Sequence, residues 1–145
     1  DHDEKKNRLL YQQLVDFINL NQNVDFYLKH HPRFNKEIDL TTLFKLNNVH
    51  LASTNIRDCF QQCSLHITAY SSSVFEASLF GIPSVLINPL SKFNFFENDF
   101  NYPLQHTINE LRDERLYQES SQLLMDWASD FYTGYDENMF LNLLK

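Results

Sequence analysis

The sequence predicts an α/β fold, a Rossmann-like three-layer domain with helices on both faces of a parallel sheet and further helices at the carboxyl end. Three observations predict it. Four short apolar runs, Val24–Leu28, Val49–Ala52, Leu65–Ala69 and Ser84–Ile87, have strand length and β-rich composition. Segments with apolar residues at helical spacing flank them or lie between them. At Gly81-Ile82-Pro83, glycine suits the left-handed exit of a helix and proline prevents its continuation. Strands that alternate with helices pair in parallel through crossover helices.

The elements follow in chain order. From about Asn7 to Asn21, the residues Leu9, Leu10, Leu14, Phe17 and Ile18 form an apolar helical stripe opposite charged positions. The first strand ends in Lys29-His30-His31-Pro32-Arg33. Pro32 drives His31 away from helical dihedrals, so both histidines lie on a loop at that strand's carboxyl end. The polar stretch 35–48 predicts one short helix near Leu40–Leu46, and Ser53 or Thr54 is placed to cap a helix through Ile56, Cys59 and Phe60. Ser71-Ser72-Ser73 then joins the third strand to a helix over Val74–Phe80. Residues 88–105 read as a loop rich in aromatics, among them Phe93, Phe95, Phe96, Phe100 and Tyr102. Thr107-Ile108-Asn109-Glu110 has capping-box form and opens a long helix with Leu116, Leu123, Leu124, Trp127 and Phe131 as its core face. Gly134 interrupts it, and a last amphipathic stretch carries Met139, Phe140, Leu143 and Leu144.

Composition bounds the function. The 145 residues fit one domain spanning 1–145, with no internal repeat or linker. No run approaches the ~20 apolar residues of a membrane span, and no signal peptide is visible. A formal charge of −7 with scattered basic residues argues against nucleic-acid partners. An anionic ligand would need a local site. Cys59 and Cys63 lack the two-residue spacing of a zinc or redox pair and read as reduced and partly buried, which suits the cytoplasm. The chain begins at Asp1 and leads straight into a helix, which reads as a piece of a longer protein or a processed one.

The serine turn carries the chemistry. It falls where a strand's carboxyl end meets a helix's amino end, the usual ligand position of an open α/β sheet. Ser71, Ser72 and the N–H groups behind them would grip a phosphate at the positive end of the helix dipole. The alternative is structural, since Ser73-Val74-Phe75-Glu76 is itself a capping box. A carboxylate at Glu76 would repel phosphate and is better suited to the neutral hydroxyls of a ribose. If all strands share one sheet, Lys29 and His31 face the same crevice, where a histidine can donate to a phosphate or protonate it as it leaves. The alternative there is an exposed histidine pair. No third ligand at metal-site spacing accompanies His30 and His31, so no metal is expected. With only two glycines, Walker and dinucleotide loops are excluded. The aromatic run near Phe93 to Tyr102 reads as core packing, with a ligand or partner surface as the alternative.

Lys29-x-His31-Pro32, then Ile67-Thr68-Ala69-Tyr70-Ser71-Ser72-Ser73-x-x-Glu76-Ala77 and Gly81-x-Pro83, together resemble the carboxyl-terminal half of a GT-B glycosyltransferase. The nearest families are the bacterial sialyl-, polysialyl- and Kdo-transferases of capsule and lipopolysaccharide synthesis, with CDP-glycerol glycerophosphotransferases of similar form. By motif the resemblance covers Val24 to Pro89. It implies a Rossmann-like domain that binds a CMP-, CDP- or UDP-linked sugar donor as substrate, with no further cofactor. His31 matches the catalytic histidine that contacts the departing phosphate, Ser71 and Ser72 match the phosphate-binding serine pair, and Glu76 matches the ribose-binding acid. Lys29 and Ser73 belong to the same two motifs and are expected at the phosphate. The resemblance also implies a saccharide or lipid-linked acceptor held by an amino-terminal domain outside this chain, which supplies the catalytic base. The full-length protein is then cytoplasmic, with peripheral association at the inner face of the membrane as one arrangement.

The chain departs from the pattern in two places. Ala69 stands where glycerophosphotransferases typically have Asp, and the strand that precedes the first helix in such domains is missing. This chain alone is expected to bind donor without turnover. Two other functions compete. Non-hydrolysing UDP-sugar 2-epimerases share the fold and a serine or glycine turn followed by glutamate, but carry a glycine beside the serine that is lacking here. A non-enzymatic α/β interaction domain would use the serines only as caps.

Overall fold

The computed structural model of the chain describes residues 2–29, 39–87, 95–104 and 110–132. They form a mixed α/β structure of five α-helices and four short strands. Helix α1 spans His2–Leu20 and turns the chain into β1, Phe26–Leu28. It begins before the apolar stripe does, because an established helix propagates without apolar residues. Strand β2, Val49–Leu51, pairs in parallel with β1 in the register Phe26↔Val49, Tyr27↔His50, Leu28↔Leu51. Between them, a 3₁₀ turn at Leu43–Lys45 stands where a short helix was expected. Ile18, Phe26, Leu43 and Val49 form the core of this half, and the rings of Phe17 and Phe26 meet edge to face at 5.6 Å. The loop 30–38, with His30, His31 and Pro32, lies outside the described residues.

Helix α2, Ile56–Gln62, is capped by Asn55, whose side-chain oxygen accepts from the Arg57 N–H at 3.0 Å. The expected caps, Ser53 and Thr54, do not fill that role. The Ser53 hydroxyl oxygen accepts from the Asn55 N–H instead, which orients the capping residue. Cys59 and Cys63 are free and half-buried, and burial pushes the Cys63 thiol up.

Strand β3, His66–Thr68, and strand β4, Ser84–Leu86, pair in parallel in the register His66↔Ser84, Ile67↔Val85, Thr68↔Leu86. The short helix α3, Ser73–Ser78, crosses between them. Among the described residues the four strands form two pairs, β1 with β2 and β3 with β4, and no bond joins one pair to the other. Parallel direction in both pairs and the helical crossover through α3 agree with the sequence reading.

Gly81 closes α3 as expected, in the left-handed region at φ 63°. The Ile82 N–H reaches back to the Ala77 carbonyl at 3.1 Å, the long bond of a Schellman ending. A Cβ at Gly81 would lie 2.6 Å from Ser121 Oγ and 3.1 Å from Met125 Cγ. Gly81→Ala is therefore expected to cost about 1–3 kcal/mol, from left-handed strain plus the contact with Ser121 and Met125 of the helix over Glu114–Phe131. A urea midpoint unchanged from wild type would contradict this.

Residues 95–104 correct the loop assignment. Phe95–Phe100 is a helix, α4, and Asn101 at φ 49° turns the chain so that Tyr102 re-enters the core. Three phenylalanines in six residues hide the helical period, because aromatics lie on more than one face of the turn. Helix α5, Glu114–Phe131, follows a 3₁₀ turn at Glu110–Arg112 and is capped by Asp113, whose carboxylate accepts from the Leu116 N–H at 3.0 Å. It thus opens later than Thr107, which lies outside the described residues, as do Gly134 and the amphipathic stretch beyond it. Leu124 and Ala128 are its buried positions, whereas Leu123, expected in the core, is 54% exposed because it sits about 100° round the helix from Leu124.

The second half is held by rings. Phe75 of α3 meets Phe96, Phe100, Tyr102, Trp127 and Phe131 at centroid distances of 5.0 to 6.0 Å. Phe95, Phe96, Phe100 and Tyr102 are packed in this cluster, and Phe93 lies outside the described residues. Among the described residues, no helix is long and apolar enough to cross a membrane.

Candidate functional site

The serine turn is built from beneath by a histidine that the sequence reading passed over. Residues alternate faces along a strand, and the parallel register sets His66 of β3 beside Ser84 of β4. His66 Nδ1 lies 2.9 Å from Ser84 Oγ, and its Nε2 lies 3.2 Å from Ser73 Oγ. Ser73 Oγ in turn donates to Ser71 Oγ at 2.8 Å, and the Ser73 N–H donates to the same oxygen at 3.2 Å. Tyr102 closes the far end, its hydroxyl donating to the Val74 carbonyl at 3.1 Å with Ser84 Oγ at 3.4 Å. Burial pushes the Tyr102 phenol up to about 12 and holds His66 down to about 4. His66 is therefore a neutral imidazole at neutral pH.

A neutral imidazole donates from one nitrogen and accepts at the other. With the proton on Nε2, Ser84 donates to Nδ1, His66 donates to Ser73, and Ser73 donates to Ser71. The chain of donors then runs outward, and the Ser71 hydroxyl, already accepting twice, keeps its own proton for a ligand. Successive bonds of this kind polarise one another.

The three serines thus differ. Ser73 is buried and its hydroxyl is engaged from within. It is already the first residue of α3, so the expected capping box of Ser73 and Glu76 does not form. Ser71 supplies the cap in its place. Ser72 is exposed, and its hydroxyl makes no hydrogen bond among the described residues. The N–H groups behind the turn are less open than expected, because those of Ser73, Val74 and Phe75 donate to Ser71 Oγ, the Ser71 carbonyl and the Ser72 carbonyl. A ligand here meets the Ser71 and Ser72 hydroxyls and the N–H groups of those two residues. Glu76 is exposed in the first turn, and its charge raises the Tyr132 phenol after burial has done so. Its carboxylate is not spent as a cap partner.

Lys29 behaves differently from the phosphate ligand expected. Its ammonium donates to the carbonyls of Ser53 at 2.8 Å and Thr54 at 2.7 Å, tying the end of β1 to the loop after β2. Among the described residues, no hydrogen bond or ion pair links Lys29 to the serine turn. His31 lies outside the described residues. Around the turn, Tyr70 is 54% exposed and rests on Phe95 and Phe96 at 5.9 and 5.4 Å, which offers an aromatic face beside Ser71. The sequence signal for His66 was its position: His66 and Thr68 share one face of the strand that leads into the serines.

Comparison with protein-family models, curated proteins and solved structures finds no match to this chain.

Proposed function

We propose that the chain is the donor-binding domain of a glycosyltransferase of bacterial surface polysaccharide synthesis, with a Rossmann-like three-layer architecture as its complete form. The observation that carries this reading is the division of labour in the serine turn. Ser73 and His66 hold the turn from inside, which leaves the hydroxyls of Ser71 and Ser72 for an acceptor-rich ligand such as a diphosphate or a monophosphate ester. A turn that served only as a cap needs Ser71 alone.

The donor phosphate accepts from Ser71 and Ser72, Tyr70 lies beside a flat base or sugar, and Glu76 accepts from ribose hydroxyls. His31 is assigned to the departing phosphate by the motif order that led to this family, and Lys29 acts by fixing the loop ends from which His31 follows. In the reaction the acceptor hydroxyl forms the new bond to the anomeric carbon, the bond to the nucleotide phosphate breaks, and the proton passes to a base in the second domain. The acceptor, that base and any membrane association of the full-length protein belong to the same proposal, as does its cytoplasmic setting.

Single serine variants test the division. Ser72→Ala is expected to lower nucleotide affinity about tenfold or more, the worth of one hydrogen bond to a charged group, without moving the melting temperature. Ser73→Ala is expected to destabilise the fold by about 1–3 kcal/mol, because it strips partners from His66 and Ser71. Equal melting temperatures for both variants, with nucleotide binding by neither wild type nor variant, would leave the turn as a structural cap.

A further inference from the structure

We infer that His66 is a positioning residue for the serine turn: held as the Nε2–H tautomer by Ser84, it turns the hydroxyl protons outward, so that Ser71 can only donate and the turn selects ligands that accept. The ligand half of this inference rests on the phosphate reading of the turn, and the tautomer does not. The chain Ser84–His66–Ser73–Ser71 admits two proton arrangements around a neutral imidazole. In the outward one, Ser84 donates to Nδ1, the Nε2–H donates to Ser73, and Ser73 donates to Ser71. In the inward one, Ser71 donates to Ser73, Ser73 donates to Nε2, and the Nδ1–H donates to Ser84. The Ser84 proton then needs another acceptor.

The buried end decides between them. Ser84 and Tyr102 are each 1% exposed, which keeps water from both hydroxyls. The Val74 carbonyl can only accept, so the Tyr102 hydroxyl donates to it at 3.1 Å. In the outward arrangement the Ser84 proton meets Nδ1 at 2.9 Å. In the inward one its acceptor among the described residues is the Tyr102 oxygen at 3.4 Å, beyond the roughly 2.5–3.0 Å of an O–H···O bond. A buried hydroxyl without a good acceptor carries its full desolvation cost, and the outward arrangement avoids it. Phe60 meets the His66 ring edge to face at 5.3 Å and 90°. That contact holds the imidazole plane in which both nitrogens reach their serines.

Ser71 then differs from an ordinary surface serine. Its oxygen accepts from the Ser73 hydroxyl at 2.8 Å and from the Ser73 N–H at 3.2 Å, so both lone pairs are engaged and its proton points away from them. A phosphate oxygen, which only accepts, fits that polarity. In the inward arrangement the Ser71 oxygen would keep a lone pair, and the turn would suit an ammonium or a hydroxyl. Burial holds the imidazole neutral at pH 7, so one nitrogen always accepts. His66 thus touches no ligand and still sets which class of ligand the turn takes.

The test is a long-range proton–nitrogen correlation spectrum of the 145-residue protein at pH 7, which reads the protonation of each histidine nitrogen. His66 is expected to show a protonated Nε2 and an unprotonated Nδ1. Ser84→Ala removes the proton that Nδ1 accepts and leaves the turn itself intact. In that variant the two nitrogen shifts are expected to move toward each other. Its affinity for inorganic phosphate is expected to fall about fivefold, part of the worth of one hydrogen bond to a charged group. A proton on Nδ1 in the wild type, or averaged shifts at the two nitrogens, overturns the inference even if phosphate binds. An unchanged tautomer and phosphate affinity in Ser84→Ala overturn the role given to Ser84. Phosphate bound by the wild type no more tightly than methylammonium overturns the ligand half together with the phosphate reading, while the nitrogen shifts still judge the tautomer.

Discussion

Phe96→Ala is expected to destabilise the protein by about 3–5 kcal/mol, the usual cost of deleting a buried aromatic ring. Phe96 is 1% exposed and its ring meets those of Tyr70, Phe75, Phe95 and Tyr102. Its loss removes the contact that seats α4 on α3 and withdraws support from Tyr70, the residue before the serine turn. A domain of ordinary stability holds about 5–15 kcal/mol, so the variant approaches unfolding. Phe96→Leu keeps most of the volume and is expected to cost about half as much or less. Urea denaturation of the pair checks this. A loss below about 1 kcal/mol for Phe96→Ala would show that the aromatic cluster is not the core of this half.

The second large effect is a pH dependence centred on His66. Burial lowers its pKa from 6.5 to about 4, so between those values the unfolded chain binds a proton that the native chain does not. Stability therefore rises with pH through this window and is fully present above pH 6.5. It falls as the pH drops toward 4, where the native histidine must charge within the Ser73–Ser84 bridge. The contribution is up to about 3 kcal/mol, at ~1.4 kcal/mol per unit. Carboxylates titrate nearby in pH, so the measurement is the difference between wild type and His66→Gln, which carries no titrating group. Between pH 7 and pH 4 the wild type is expected to lose more stability than the variant. Parallel curves would mean that His66 charges without cost and that its ring is open to water.

What the sequence disclosed was local. The strand before the serines, the turn, the short helix and the left-handed Gly81 exit all follow from neighbours within a few residues, and the structure places them so. The core face of α5 was legible at Leu124, where the period is clear, and misread at adjacent Leu123. The support beneath the turn was not legible. His66, Ser84 and Tyr102 meet only through strand register and the return of the chain after α4, and no local pattern encodes either. The capping box at Ser73 does not form: Ser73 is already in the helix, and the Ser71 hydroxyl, two residues earlier, accepts from its N–H. That shift changes the site, since it commits Ser73 and releases Ser72. Which strands pair among the described residues was equally invisible, because strand order is a non-local property.

The central claim is that the Ser71–Ser72 turn binds the phosphate of a nucleotide donor, and titration of the chain with CMP, CDP and UDP, followed by amide shifts, tests it most directly. The expected result is saturable shifts confined to residues 29–33 and 70–76 with at least one nucleotide, abolished in a variant carrying Ser71→Ala and Ser72→Ala. Absence of shifts at 70–76 with all three nucleotides would contradict the claim.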